Sequence, residues 1–264
     1  MAEIQNTVTI MEFELREYLF CLEVDFDVDA QLAAIRELLR QNADAKQVSA
    51  DEMARIASDA RAMSGARSEM ATDVWIDRAH HSVYQGAAHS LAAVGMLAPL
   101  TETLFFQYYQ AIGAKFFPMS AQLPSHDRWK SAHASQWDCH YVFGGKGRGK
   151  DIAGGIMQLS DAVGLGARLP TNLKKFLRLL FRYRNEMFHH GFEWPVDVRE
   201  RFARTLVEED YPERWIEKAT SGEQPWIFYL SDTFITEYLT IMDNVLDALA
   251  MFIRDELLPK VGKG

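Results

Sequence analysis

Cysteine is scarce: Cys21 and Cys139 are the only two in 264 residues. They stand far apart and form neither a metal-ligand spacing nor a disulfide framework, which excludes a zinc ribbon and a stapled secreted domain. Free thiols of this kind suit a reducing cytosol. Long hydrophobic runs are also missing. The longest, residues 91–100, falls well short of the roughly 20 apolar residues that a membrane helix needs. The N-terminal MAEIQNTVTIMEFEL carries acids and no basic region, unlike a secretory signal. Positive charge is in deficit, with a net −9. That argues against indiscriminate binding to nucleic acid or anionic membrane, yet leaves room for a local basic surface. The expectation is a soluble, cytoplasmic protein without membrane contact.

What the chain does have is helical periodicity. Met11, Leu15, Tyr18 and Leu22 have helical spacing within residues 8–24, although Val8, Ile10 and Phe13–Leu15 could start a strand. Glu12, Glu14, Arg16 and Glu17 favour the helix. Asp27 or Asp29 then caps an amphipathic helix through Leu32, Ile35, Leu38 and Leu39. Ser49-Ala50-Asp51-Glu52 resembles a capping box before a further helix through Met53, Ile56, Ala60 and Met63. These helices are short of bulky core residues, so residues 1–70 are expected as an N-terminal helical extension.

A main helical domain is expected over residues 72–258. Residues 72–117 read as two helices meeting near Ala98-Pro99, with Pro99 in a first turn. Gly86, Ala87, Ala88, Ala92, Ala93 and Gly95 imply close approach of a neighbouring helix. Residues 118–150 are less regular, and the glycine-basic tract Gly144–Lys150 reads as a mobile loop. Helices follow at about 151–164, 173–190, 196–208 and 213–219, then a long one at about 226–257. In the last, Phe234, Tyr238, Ile241, Val245, Leu249 and Phe252 keep a bundle seam. No convincing run of strands stands out. The fold class is all-α, a helical bundle.

Chemistry concentrates in one helix. Between Ala162 and Asn185 the basic residues are Arg168, Lys174, Lys175, Arg178, Arg182 and Arg184, and there is no acid. One strongly basic helix in an acidic chain suits a phosphate-bearing ligand. The alternative is a solvated face paired with acids such as Glu208-Glu209-Asp210. The helix ends on Arg184-Asn185-x-x-x-His189-His190-Gly191. Arginine can grip a phosphate with two donors, and histidine can move protons near neutral pH. At about 100° per residue, neither histidine lies above the arginine on an ideal helix. They converge only if the helix end unwinds or a second copy faces the first.

Other groups carry less. Asp77, His80, His81 and His89 share a helix but match no zinc spacing such as HExxH. His126, His133 and His140 recur every seven residues among Trp129 and Trp137, which reads as a packing loop. Gly144–Lys150 lacks the order of a P-loop and is a flexible linker or a phosphate-touching loop. No metal or cofactor is expected.

The Arg184-Asn185-x3-His189-His190 segment resembles the signature of the HEPN superfamily: arginine, a polar residue, then histidine after four to six positions. The all-α setting resembles that family's domain over about residues 72–258, with residues 1–70 as an addition. The resemblance implies a metal-independent endoribonuclease, often a toxin or phage-defence factor, that acts as a homodimer with a composite site. Arg184 would hold the scissile phosphate of RNA, Asn185 would orient the arginine or the phosphate, and His189 or His190 would act as acid or base. Lys174, Lys175, Arg178 and Arg182 would bind neighbouring phosphates. Some members of the superfamily bind without cutting, so a non-catalytic module for RNA, a nucleotide or a protein partner is the alternative.

Overall fold

The computed structural model describes residues 14–117, 123–130, 135–144 and 147–261. The fold is all-α, with two small antiparallel hairpins. Among the described residues no helix is long and apolar enough to cross a membrane.

The N-terminal region holds fewer and longer helices than the caps suggest. Residues 8–13 of the first expected helix lie outside the described residues, and Leu15–Leu22 forms a 3-10 helix. Helix α1 then runs unbroken from Val28 to Ala62, capped by Asp27, whose side chain accepts the Ala30 N–H at 2.9 Å. The apparent capping box at Ser49–Glu52 therefore lies mid-helix. Pairs along the helix, such as Arg40 with Glu37 and Asp44, and Gln47 with Asp51, give the polar side chains helical partners.

Helix α2 is also continuous, from Ala66 to Phe116, with Pro99 inside it and not in a first turn. An interior proline costs about 3 kcal/mol. Burial of Leu97, Leu100 and Leu104 around it contributes about 1.5–3 kcal/mol each, so packing carries the helix through. The small residues of α2 meet a strand as well as helices: Gly86 faces the Tyr229 ring, and Ser90 exchanges hydrogen bonds with the Leu230 backbone.

Residues 1–70, expected as an extension, divide in the structure. Val28, Leu32 and Leu39 enter the main core, and Arg16 bridges Asp29 to Asp243 and Asp247. Of the described residues 40–85, none is buried. There α1 and α2 pair mainly with each other, as an antiparallel arm joined by contacts such as Glu52–Arg78 and Ser49–Gln85, and the inner end of the arm is tied to the rest of the chain by Lys46–Asp232, His80–Trp226 and Tyr84–Glu193.

The glycine-basic tract is not a simple loop. Strands β1 (Tyr141–Gly144) and β2 (Gly147–Lys150) form a hairpin in which Tyr141 pairs with Lys150. Helices α3 (Ile152–Val163), α4 (Leu173–His190) and α5 (Val196–Glu208) follow the expected bounds closely. The region read as a helix at 213–219 is a 3-10 turn, Glu213–Trp215, leading into β3 (Ile216–Ser221). Strand β4 (Gln224–Leu230) pairs with β3 and takes the residues expected to begin the last helix. Gly222, at φ 63°, makes the turn between them. Helix α6 starts only at Asp232, capped by Ser231, and reaches Phe252 before a π turn and a final short helix. The seam residues Phe234, Tyr238, Val245, Leu249 and Phe252 are fully buried. Phe176 of α4 packs among Trp215, Phe234 and Tyr238, which centres α4 in the core.

Candidate functional site

Helix α4 has two faces. Leu173, Phe176, Leu177, Leu180, Tyr183 and Met187 are buried at helical spacing. Around the other side, Arg178, Arg182, Arg184, Asn185 and Glu186 line an open cleft of about 800 Å3. Its far wall is the β1–β2 hairpin and the start of α3, with Tyr141, Lys150 and Asp151. Glu102 of α2 and the 138–140 loop close one end.

That end holds a three-member chain of charged groups. Asp138 Oδ1 accepts the backbone N–H of His140 at 2.9 Å and contacts its ring Nδ1 at 2.5 Å. His140 Nε2 lies 2.7 Å from Glu102 Oε1. Burial alone would lower the pKa of this imidazole, but the bonds to Asp138 and Glu102 outweigh burial and raise it above the usual value. Arg184 stands next in line, its Nη1 4.0 Å from Glu102 Oε2.

The loop is held from beneath by Arg128, which is fully buried. Its guanidinium donates to the carbonyls of Gln136 (2.6 Å), Asp138 (2.7 Å) and Tyr141 (2.9 Å), and to Gln158 Oε1 (2.9 Å). It also lies over the Phe143 ring at 4.7 Å. Burial lowers its pKa to about 10, so it stays charged. Helix α3 comes so close that a Cβ on Gly155 would sit 2.0 Å from the Cys139 carbonyl oxygen. Glycine is the residue that permits this approach.

Among the described residues, one set of potential metal ligands gathers: Asp138, Cys139 and His140, with ligand atoms within 4.8 Å of one another. Its donor chemistry does not fit a metal. Both His140 nitrogens are already bound to carboxylates, and burial pushes the Cys139 thiol up to about 12. Asp77, His80 and His81 do not gather; His80 instead lies against Trp226 at 5.0 Å.

The expected site residues are distributed unevenly. Arg184 and Asn185 line the cleft, whereas His189 and His190 lie beyond it on the exposed last turn. Helix α4 stays regular through His190, and Gly191 ends it at φ 68° with its N–H on the Met187 carbonyl. The helix end therefore does not unwind, and within one chain Arg184 and the histidines point apart. His190 Nε2 approaches Glu186 at 3.5 Å. Phe188, between Arg184 and His189, is 63% exposed.

Of the four expected phosphate binders, Arg178 and Arg182 line the cleft, and Lys174 and Lys175 do not. Lys175 is tied to Asp210 and Arg182 to Glu209, so part of the basic face is satisfied within the chain. Among the described residues neither Lys174 nor Arg178 has a carboxylate partner. Sequence reasoning missed Glu102 and Asp138 and read His140 as packing. The one local signal was Asp138-Cys139-His140, an acid two residues before a histidine. Glu102 lies on another helix and left no signal. Compared with models of known families, with curated proteins and with solved structures, the chain finds no match.

Proposed function

We propose that this protein is a HEPN-type endoribonuclease that needs no metal, acts as a homodimer with a composite site, and serves in a toxin or phage-defence setting. The observation that supports the reading is the regular end of α4. Arg184 and Asn185 face the cleft, while Phe188, His189 and His190 stand exposed just beyond it. A second copy across a two-fold axis brings the histidines of one chain to the arginine of the other and covers Phe188.

On this reading Arg184 holds the scissile phosphate and Asn185 orients it. His189 or His190 takes the proton of the 2′-hydroxyl as that oxygen attacks phosphorus. The P–O5′ bond breaks and the leaving 5′-oxygen takes a proton from the histidine pair or from water, which leaves a 2′,3′-cyclic phosphate and a 5′-hydroxyl. Lys150, Arg178 and Arg182 hold flanking phosphates.

The test is RNA cleavage in excess chelator, with sedimentation equilibrium for the dimer. Arg184→Ala, and separately the double change His189→Ala/His190→Ala, should lower cutting at least ~100-fold with circular dichroism unchanged. Cutting that survives both changes, or that requires a divalent ion, overturns the reading. A second reading has its own support in the Glu102 carboxylate beside Arg184 and the many acids of the cleft. It is a non-catalytic HEPN-like module that binds RNA, a nucleotide or a protein, and it expects binding with no cleavage product.

A further inference from the structure

Glu102 faces two cations with its two oxygens. Oε1 is 2.7 Å from His140 Nε2, and Oε2 is 4.0 Å from Arg184 Nη1. A carboxylate set between an imidazolium and a guanidinium has the charge and the paired acceptors of a phosphodiester's two non-bridging oxygens. One of the receiving groups is fixed in place. Asp138 grips both the backbone and the ring of His140, which turns Nε2 toward Glu102 at the cleft end. Glu102 is the member that has to move, and its side chain, 29% exposed, lines the open cleft and can swing to water.

We propose that His140 and Arg184 form a phosphodiester-binding pair, and that Glu102 sits in the phosphate position as an internal competitor until a nucleic-acid strand displaces it. The proposal rests on the RNA-directed reading of the cleft and adds to it a residue pair and a threshold. A single phosphate must win both cations from a carboxylate already attached to the protein. A strand that also engages Lys150 and Arg178 gains from several contacts at once and displaces Glu102 more readily. The favoured ligand is therefore an oligonucleotide and not a mononucleotide.

Charge on His140 is part of the device. Glu102 and Arg184 face it from α2 and α4, Asp138 from its own loop, and Lys150 and Asp151 from the hairpin and the start of α3. The bonds from Asp138 and Glu102 favour the protonated ring. Once pH rises through the raised His140 pKa, one cation of the pair is lost and affinity for a phosphodiester falls.

The probe is a 2′-O-methylated RNA trinucleotide, which cannot be cut and whose phosphodiesters keep one charge throughout the range. Affinity is measured for wild type, Glu102→Gln and His140→Gln near pH ~5.5, below the ordinary imidazole value of about 6.5. Glu102→Gln should bind about tenfold more tightly, the effect of removing one competing charge at this range. His140→Gln should bind more weakly, and the probe should shift the His140 ring resonances of wild type. Unchanged or weaker binding by Glu102→Gln overturns the proposal, as do ring resonances that the probe leaves unmoved. If Glu102→Gln fails to fold by circular dichroism, wild-type affinity that stays flat as the His140 ring titrates overturns it instead. Cleavage of ordinary RNA is scored separately, so a protein that binds as described and cuts nothing keeps the pair and loses the nuclease.

Discussion

Arg128 shows how one residue can hold a loop without an ionic partner. Its charge is met by three peptide carbonyls and one side-chain amide, and removing it strands those acceptors in the interior. Arg128→Met should lower stability by about 3 kcal/mol, measured by denaturant unfolding, and should broaden the His140 ring resonances. His140 carries a pH dependence of its own. Its folded pKa is raised, so its contribution to stability is complete below the unfolded value of about 6.5 and is lost as pH rises through the folded value. The stability difference between wild type and His140→Gln should therefore shrink as pH is raised. A difference that grows would mean that the ring is held neutral.

At the scale of elements, glycines divide into those that allow contact and those that do not. A Cβ on Gly155 would strike the Cys139 and Tyr141 carbonyls at 2.0 and 2.8 Å, whereas one on Gly95 would meet nothing within 4 Å. Gly155→Ala should cost about 1–3 kcal/mol by forcing α3 off the 138–142 backbone. Gly95→Ala should leave stability unchanged or raise it by up to about 1 kcal/mol. Thermal unfolding of the two variants reads both, and equal losses would contradict the packing described. The same contrast explains what was legible beforehand. Helices α3, α4 and α5 each bury one stripe of side chains, so periodicity alone locates them. Pro99 and Ser49–Glu52 misled because local stop signals were outweighed by packing and by pairs along the helix. The hairpins hid because Gly144–Lys150 and Ser221-Gly222 read as turns, while the strands beside them are short. In the site, Arg184 and Asn185 were legible from one helix. The Glu102–His140 contact spans 38 positions, and spacing cannot encode it.

For the whole molecule, the division runs between core and arm. Every buried residue of α1 lies at or before Leu39, and every buried one of α2 at or after Gly86. Replacing residues 53–77 with a short glycine–serine linker should lower the helical signal in circular dichroism. The denaturant midpoint should remain nearly where it was, with a single cooperative transition. A large loss of stability would show that the arm supports the core. Where the arm leaves the core, Tyr84 bonds Glu193 and packs against Trp226, so that end is anchored and should be left intact.

The arm also governs how this protein travels through water. Beyond the contacts of Lys46 and His80 with the body, residues 53–62 of α1 project about 15 Å at about 1.5 Å each. Friction on such a particle exceeds that on a sphere of equal mass, so it diffuses and sediments slowly and elutes early from a sizing column. A monomer of this shape would pass for something larger, and only a mass measurement independent of shape can count its copies.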